Sequence, residues 1–424
     1  MDVRVIERFP RGVVTPPPSK SLSHRAVICS ALAGGGSVIE NLGVSDDIEA
    51  TLAGIRALGL ANARREGSVL RVDSSSGTRR ASPDEVRVVD CNESGSTLRF
   101  LLPIAALDGS TTSFVGRGRL MSRPLDVYAK FFAEAGASFV QEPDRITVRG
   151  PFRSGEYEMR GDVSSQFVSG LILALPLLEG DSVIRLVTPL ESRRYVDLTI
   201  DVARRFGAEV LEGDSCYAVR GGRRYRPARY QVEPDYSQAA FFLASAALGR
   251  DVEVEGLDPD SLQGDRDILR ILGEMGAVVD WRAGPRGGGW RTSVRAGRLS
   301  AVTVDARDIP DLVPPVAALC CFCEGTSRIE GALRLRLKES DRLSALRTEL
   351  NKLGADVEET RDSLAIRGAG RLAGGRVDAW GDHRIAMSLA VAAIGCDGPV
   401  LMSGWRSVSK SYPDFWRDFE GGNP

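Results

Sequence analysis

The sequence predicts an α/β fold of six repeated units, three to a domain, with its most apolar helices buried. Three observations predict it. A glycine-closed helix end recurs as "IRALGL" (55–60), "FAEAGASF" (132–139), "ARRFGAEV" (203–210), "LGEMGAVV" (272–279) and "LNKLGADV" (350–357). The glycines are Gly59, Gly136, Gly207, Gly276 and Gly354, spaced by 77, 71, 69 and 78 residues. Each interval also holds a second helix that is apolar nearly all round, and short β-branched runs separate the two helices.

In chain order, "DVRVIERF" (2–9) reads as a strand and is expected to pair with the second half. Pro16, Pro17 and Pro18 hold the chain extended, Ser19 or Ser21 caps, and "SLSHRAVICSALAG" forms the first apolar helix before Gly34-Gly35-Gly36 stops it. The strand "SVIENL" follows, then an amphipathic helix closed by Gly59, the glycine supplying the left-handed cap. The same grammar repeats with the strands "TSFVG", "SVIRL", "VEVEGL" and "SRIEGA". The apolar helices are "GSTLRFLLPIAALDG", "SSQFVSGLILALPLLEG", "SQAAFFLASAALG", "PDLVPPVAALCCFCEG" and "HRIAMSLAVAAIG". A last copy begins at "PVLMSGW", making six. Three copies per domain place the boundary near "RRYRPARYQVEPD" (223–235), giving one domain over 14–230 and a second from 1–13 with 231–424. The Ser-rich 74–83 and glycine-rich 283–290 stretches read as hairpin or surface loops and lack the strand-to-helix setting of a nucleotide fingerprint.

Composition narrows the function. Lys plus Arg (55) nearly balances Asp plus Glu (57), so no global field recruits nucleic acid or an anionic membrane. No apolar run reaches the roughly 20 residues of a membrane span, and "MDVRVIERFPRG" has no signal-peptide core, so a cytoplasmic protein is expected. Seven cysteines, mostly in apolar runs, fit reduced core thiols; "CCFC" (320–323) matches no zinc spacing, and no metal site is expected.

The stretch "TPPPSKSLSHRAVICSA" (15–31) is the first pointer to chemistry. A helix start already carries partial positive charge, and Lys20 and Arg25 add to it where acids are the usual choice. Such a start is either a solvated turn or an anion site. The other five apolar helices also begin with polar groups: Glu93-Ser94-Gly95-Ser96, Ser164-Ser165-Gln166, Asp235-Tyr236-Ser237, Asp308 with Asp311, and Asp382-His383-Arg384. Capping explains any one of them; six units built alike should turn all six starts to one face.

These motifs together resemble the 5-enolpyruvylshikimate-3-phosphate synthases of the enolpyruvyltransferase family. The likeness runs through "PPSKSLSHRA", "ESGSTLR", "RLMSRP", "DVSSQF", "ESRRYVD", "DIPDLVP", "LKESDRL", "GDHRIAMSLA" and "SVSKSYPDFW", in order and almost end to end. It implies a two-domain inside-out α/β barrel of βαβαββ-type units around buried parallel helices, with substrates in the interdomain cleft. The implied reaction moves the enolpyruvyl group of phosphoenolpyruvate to the 5-hydroxyl of shikimate 3-phosphate. No cofactor or metal is implied, and the chain is expected to act as a monomer. The N-terminal domain would chiefly bind shikimate 3-phosphate, the C-terminal one phosphoenolpyruvate.

The resemblance also implies residue roles. Lys20, Ser21, Arg25, Ser164, Ser165, Gln166, Ser192, Tyr195, Asp311 and Lys338 would hold shikimate 3-phosphate. Lys20, Gly95, Arg123, Gln166, Arg342, Arg384 and Lys410 would hold phosphoenolpyruvate. Asp311 is the expected base at the 5-hydroxyl, and Glu339 with Lys20 would move the proton at C3. Lys338 and Arg342 are four residues apart and would share a face if that segment is helical. Glu93 and Arg334 depart from the family, which commonly has Asn at both positions. A UDP-N-acetylglucosamine enolpyruvyltransferase of the same architecture is the nearest alternative, but "VGRGRLMSRP" (115–124) lacks the cysteine typical of its loop. A non-catalytic repeat scaffold would leave the charged helix starts unexplained.

Overall fold

The computed structural model describes residues 2–74, 86–284 and 289–421. The expected loop at 74–83 lies outside these residues but for Ser74, as does the middle of the loop at 283–290. The chain forms two compact units, Pro18–Val232 and Met1–Pro17 with Glu233–Pro424. Each has its own hydrophobic core.

Three sheets build each unit, and the repeat explains their order. Val86–Asp90 leads into the buried helix Gly95–Ala105 and returns as Thr111–Val115, pairing parallel with the strand it left. A parallel pair needs such a crossover, which puts the helix on one face of the sheet. The amphipathic helix Asp126–Ala135 then leads to the hairpin Ser138–Gln141 and Arg145–Arg149, whose second strand pairs antiparallel with Thr111–Val115. Sheets led by Glu156–Met159 and Thr303–Asp305 repeat this order.

Where the chain passes from one unit to the other the grammar is rearranged. Gly12–Val14 precedes the helix Lys20–Leu32 in sequence, yet it pairs parallel with Val252–Leu257 of the second unit. Conversely, Arg229–Gln231 precedes the helix Tyr236–Ala247 but pairs parallel with Ser37–Glu40 of the first. Each passage leaves its strand behind, so each unit still holds three parallel pairs. The sixth sheet is completed by Val3–Ile6, antiparallel to Val400–Ser403, as expected of the opening strand.

The recurring glycines explain themselves. Gly59, Gly136, Gly207, Gly276 and Gly354 have φ of 67°, 83°, 93°, 97° and 96°, left-handed values that end each amphipathic helix and that a side chain would disfavour. The apolar helices are buried along nearly their whole length. Ser19, Ser94, Ser164, Asp235 and Asp382 cap five of them through side-chain oxygens. The sixth, Val313–Cys320, has no side-chain cap and carries Pro314 in its first turn, where a missing N–H costs no helical bond. All seven cysteines are free. No helix among the described residues is long and apolar enough to cross a membrane, and these residues contain no group of three or more acids, histidines or cysteines placed to hold a metal.

Candidate active site

In the first unit the helix start at Ser19 places Lys20 and Arg25 as a pair of cations with different surroundings. Lys20 Nζ donates to Asp47 Oδ2 at 2.7 Å. Arg25 is 2% exposed and donates to Thr199 Oγ1 (2.7 Å) and to the carbonyls of Ser21 (2.7 Å) and Tyr195 (2.8 Å). None of those acceptors is charged. Burial lowers its pKa to about 10, which still leaves a positive charge at neutral pH, and a buried cation satisfied only by neutral groups favours an anion nearby. Ser21, Arg25 and Tyr195 are thus brought together.

A second cluster forms at the next two helix starts. Ser164 Oγ accepts from the Gln166 amide (3.3 Å), Gln166 Oε1 accepts from Arg99 Nη1 (3.0 Å), and Gln166 Nε2 donates to Ser96 Oγ (2.9 Å). A Cβ on Gly95 would stand 2.8 Å from Nη1 of both Arg123 and Arg99. Only glycine allows two guanidinium groups this close to the first turn. Arg123, Arg99 and Gln166 therefore converge on Gly95, while Ser165 and Ser192 are buried. Ser192 has a φ of 57° just before the helix Arg193–Arg205. Glu93, the first departure, lies against Gly118, where a Cβ would meet its Oε2 at 2.7 Å.

Behind these clusters runs a buried hydroxyl chain. His24 Nδ1 bonds Thr51 Oγ1, Thr51 Oγ1 bonds Thr97 Oγ1, and Thr97 Oγ1 donates to Ser94 Oγ, each at 2.7 Å. Burial, with Lys20 and Arg25 adding to it, holds His24 well below its ordinary pKa and neutral.

The second unit holds the remaining predicted residues, with Asp311 and Glu339 on one guanidinium. Arg342, 1% exposed, donates through Nη1 to Asp311 Oδ1 (3.0 Å), through Nη2 to Glu339 Oε2 (3.0 Å) and through Nε to Asp382 Oδ2 (2.8 Å). Arg384 Nη2 donates to the other Asp311 oxygen (3.0 Å) and to Ser237 Oγ (2.9 Å). Lys410 Nζ donates to the Gly381 carbonyl at 2.8 Å. Burial alone would raise the pKa of Asp311, but Arg384, Lys338 and Arg342 outweigh it and hold the carboxyl far below the usual range. Burial lowers Lys338 to about 8, with Asp311 opposing the shift and Arg342 and Arg334 adding to it. Arg334, the second departure, is 8% exposed and donates to the Arg307 carbonyl at 2.7 Å.

One expectation is corrected. Lys338 and Arg342 do not share a helical face: the helix begins at Arg342, and Lys338 is extended, with φ of −84° and ψ of −161°, after the 3-10 turn Leu333–Leu337. Tertiary packing rather than helical spacing puts their charges together. The expected site residues include neither Arg99 nor Asp47, and the sequence shows Asp382 only as a helix cap. Arg99 stood in the quoted "ESGSTLR" motif, and a charged residue inside an otherwise apolar helix was the available signal.

Comparison with known proteins shows the family of the chain. The family model for EPSP synthase (3-phosphoshikimate 1-carboxyvinyltransferase) matches residues 8–419. A 3-phosphoshikimate 1-carboxyvinyltransferase of Clostridium novyi is 43% identical, the match covering 99% of this chain and 97% of that protein. The enzyme of the same name from Clostridium kluyveri is 45% identical over 96% and 94%. The solved EPSP synthase of Acinetobacter baumannii superposes with a TM-score of 0.79 at 25% identity, covering 99% and 98% of the two chains. An enolpyruvyl transferase of Streptomyces tendae shares the fold, with a TM-score of 0.76 at 18% identity over 98% and 96%. The chain belongs to the EPSP synthase (3-phosphoshikimate 1-carboxyvinyltransferase) family.

Proposed function

We propose that this chain catalyses the family's reaction, phosphoenolpyruvate plus shikimate 3-phosphate giving 5-enolpyruvylshikimate 3-phosphate and phosphate, with the following division of labour. Ser21, Arg25, Ser164, Ser165, Gln166, Ser192 and Tyr195 hold shikimate 3-phosphate, with Lys338 on its phosphate. Gly95, Arg123, Gln166, Arg342, Arg384 and Lys410 hold phosphoenolpyruvate, and Lys20 serves both substrates. The unit Pro18–Val232 accordingly takes chiefly shikimate 3-phosphate, and the other unit chiefly phosphoenolpyruvate. The chain works as a cytoplasmic monomer in this reading.

The observation that carries the proposal is the clamp on Asp311, each of whose oxygens accepts from a different arginine at 3.0 Å. Here carboxylates occupy guanidinium groups that phosphoenolpyruvate, a phosphate and a carboxylate in one molecule, is suited to take. A carboxylate depressed by such partners is a weak base. When the substrate takes up the arginine charge, the basicity of Asp311 rises. It then accepts the 5-hydroxyl proton as that oxygen attacks C2, while Glu339 and Lys20 deliver a proton to C3. The tetrahedral adduct loses phosphate as the C3 proton leaves, so the pair that delivers the proton also removes it.

Asp311→Ala tests the assignment. Shikimate 3-phosphate affinity should stay within about threefold of the parent, while turnover falls by about 10²–10⁴, the usual worth of a general base. Undiminished turnover would remove Asp311 from the mechanism.

A further inference from the structure

The helix Arg342–Lys352 carries a single acid, which is buried and which the reaction leaves unused. Glu349 is 1% exposed and lies seven residues beyond Arg342, two helical turns on, so both side chains leave the helix on one face. Its carboxylate is fully engaged. Lys352 Nζ donates to both oxygens (2.8 and 2.9 Å), the Asp378 amide donates to Oε2 (2.9 Å), and the indole Nε1 of Trp380 donates to Oε1 (2.7 Å).

Asp378 and Trp380 belong to the turn joining the strand Gly375–Asp378 to the helix His383–Ala393. Trp380 has a φ of 52°, a left-handed conformation that is unfavourable for a bulky residue and persists only where its surroundings enforce it. The enforcing groups are the Asp378 side chain, which accepts from the Trp380 amide at 2.6 Å, and Glu349, which takes the indole N–H. The turn ends in the phosphoenolpyruvate set. Gly381 offers its carbonyl to Lys410, and Asp382 accepts from Arg342, from Ser340 Oγ (3.0 Å) and from the Arg384 amide (2.9 Å). One helix therefore grips the turn at both ends, through Arg342 on Asp382 and through Glu349 on Asp378 and Trp380.

We propose that Glu349 is a positioning residue for phosphoenolpyruvate binding: by holding Trp380 left-handed it sets the Gly381 carbonyl and Asp382, and through them Lys410, Arg342 and Arg384. The inference rests on the reading in which those three cations hold phosphoenolpyruvate. A carboxylate serves here because a backbone N–H, an indole N–H and an ammonium must all be accepted at one point. An apolar side chain of similar size would pack there but leave two part-buried N–H donors without that acceptor.

The test is steady-state kinetics on the full chain, with both KM values and calorimetric shikimate 3-phosphate affinity, for Glu349→Ala, Glu349→Gln, Trp380→Phe and, as a reference, Arg384→Ala. Glu349→Ala should raise the phosphoenolpyruvate KM at least tenfold and leave shikimate 3-phosphate affinity within twofold. Trp380→Phe removes only the indole donor and should raise the same KM about threefold; Glu349→Gln, which keeps one oxygen, should rescue part of the loss. A purely structural role would lower the melting temperature and the active fraction with both KM values unmoved, and that result would overturn the proposal. If Glu349→Ala does not fold, Trp380→Phe decides, an unchanged phosphoenolpyruvate KM again overturning it. Arg384→Ala separates the two layers of the argument. A raised KM there beside an unmoved one in Glu349→Ala refutes only the positioning role, whereas an unmoved KM in Arg384→Ala removes the underlying reading and the inference with it.

Discussion

Raising the pH from 7 to 9 should weaken shikimate 3-phosphate binding through a single side chain, Lys338. Its ammonium has a pKa of about 8 in the unliganded protein, against an ordinary 10.5, because burial penalises its charge and Arg342 and Arg334 add to the penalty. A dianionic phosphate at Lys338 would restore the ordinary value, so binding above pH 8 must draw in a proton. From a pKa of about 8, the free lysine is ~90% charged at pH 7 and ~10% charged at pH 9, so the dissociation constant should rise about tenfold over that interval. At pH 8.5 about 0.7 proton should be taken up per site. The folding linkage has the opposite sign to the binding one. The unfolded lysine keeps its proton to about 10.5, so the cost of the buried charge is present in full below pH 8 and is relieved as pH rises from about 8 to about 10.5. Calorimetry in buffers of different ionisation enthalpy measures both proton uptake and affinity. Lys338→Met should bind more weakly, with a flat pH profile and no uptake. A flat profile and no uptake in the parent protein would refute the reasoning, either the lowered pKa or the phosphate contact.

Two further outcomes follow from local geometry. Gly95→Ala would push a Cβ against two guanidinium ends at 2.8 Å, which can shift, so stability should change by less than ~1 kcal/mol while displaced charge-assisted hydrogen bonds, worth about 1.5–3 kcal/mol, raise the phosphoenolpyruvate KM tenfold or more; urea unfolding and kinetics check the two halves separately. His24 is buried neutral while its unfolded counterpart protonates near 6.5, so stability should be lost as pH falls below 6.5, by about 1.4 kcal/mol at pH 5.5; urea midpoints should show this slope in the parent and lose it in His24→Gln.

The parts legible in the sequence were those set by local chemistry. Gly59, Gly136, Gly207, Gly276 and Gly354 announce left-handed helix ends because φ is a property of one residue, and the apolar helices announce burial because no face of them suits water. What escaped depends on distant partners. Nothing near Gly12–Val14 says that its parallel neighbour is Val252–Leu257, since the passage of the chain between units separates a strand from the helix that follows it. Asp382 reads as a helix cap, which it is, yet its partnership with Arg342 spans 40 residues. Arg99 meets Gln166 across 67 residues, and Glu349 looks like an ordinary surface acid until its partners at Asp378 and Trp380 are known. The shared face of Lys338 and Arg342 depended on a helix through "LKESDRL", a stretch with no helix breaker to rule it out, whereas the helix starts only after Asp341, whose side chain caps it.

Phosphate release from phosphoenolpyruvate tests the central claim most directly, measured with phosphoenolpyruvate alone, shikimate 3-phosphate alone, both together, and phosphoenolpyruvate with UDP-N-acetylglucosamine. The account predicts release only when phosphoenolpyruvate and shikimate 3-phosphate are both present, with one enolpyruvyl group transferred per phosphate. Release with UDP-N-acetylglucosamine as the acceptor, or none with both proposed substrates and a folded protein, would contradict it.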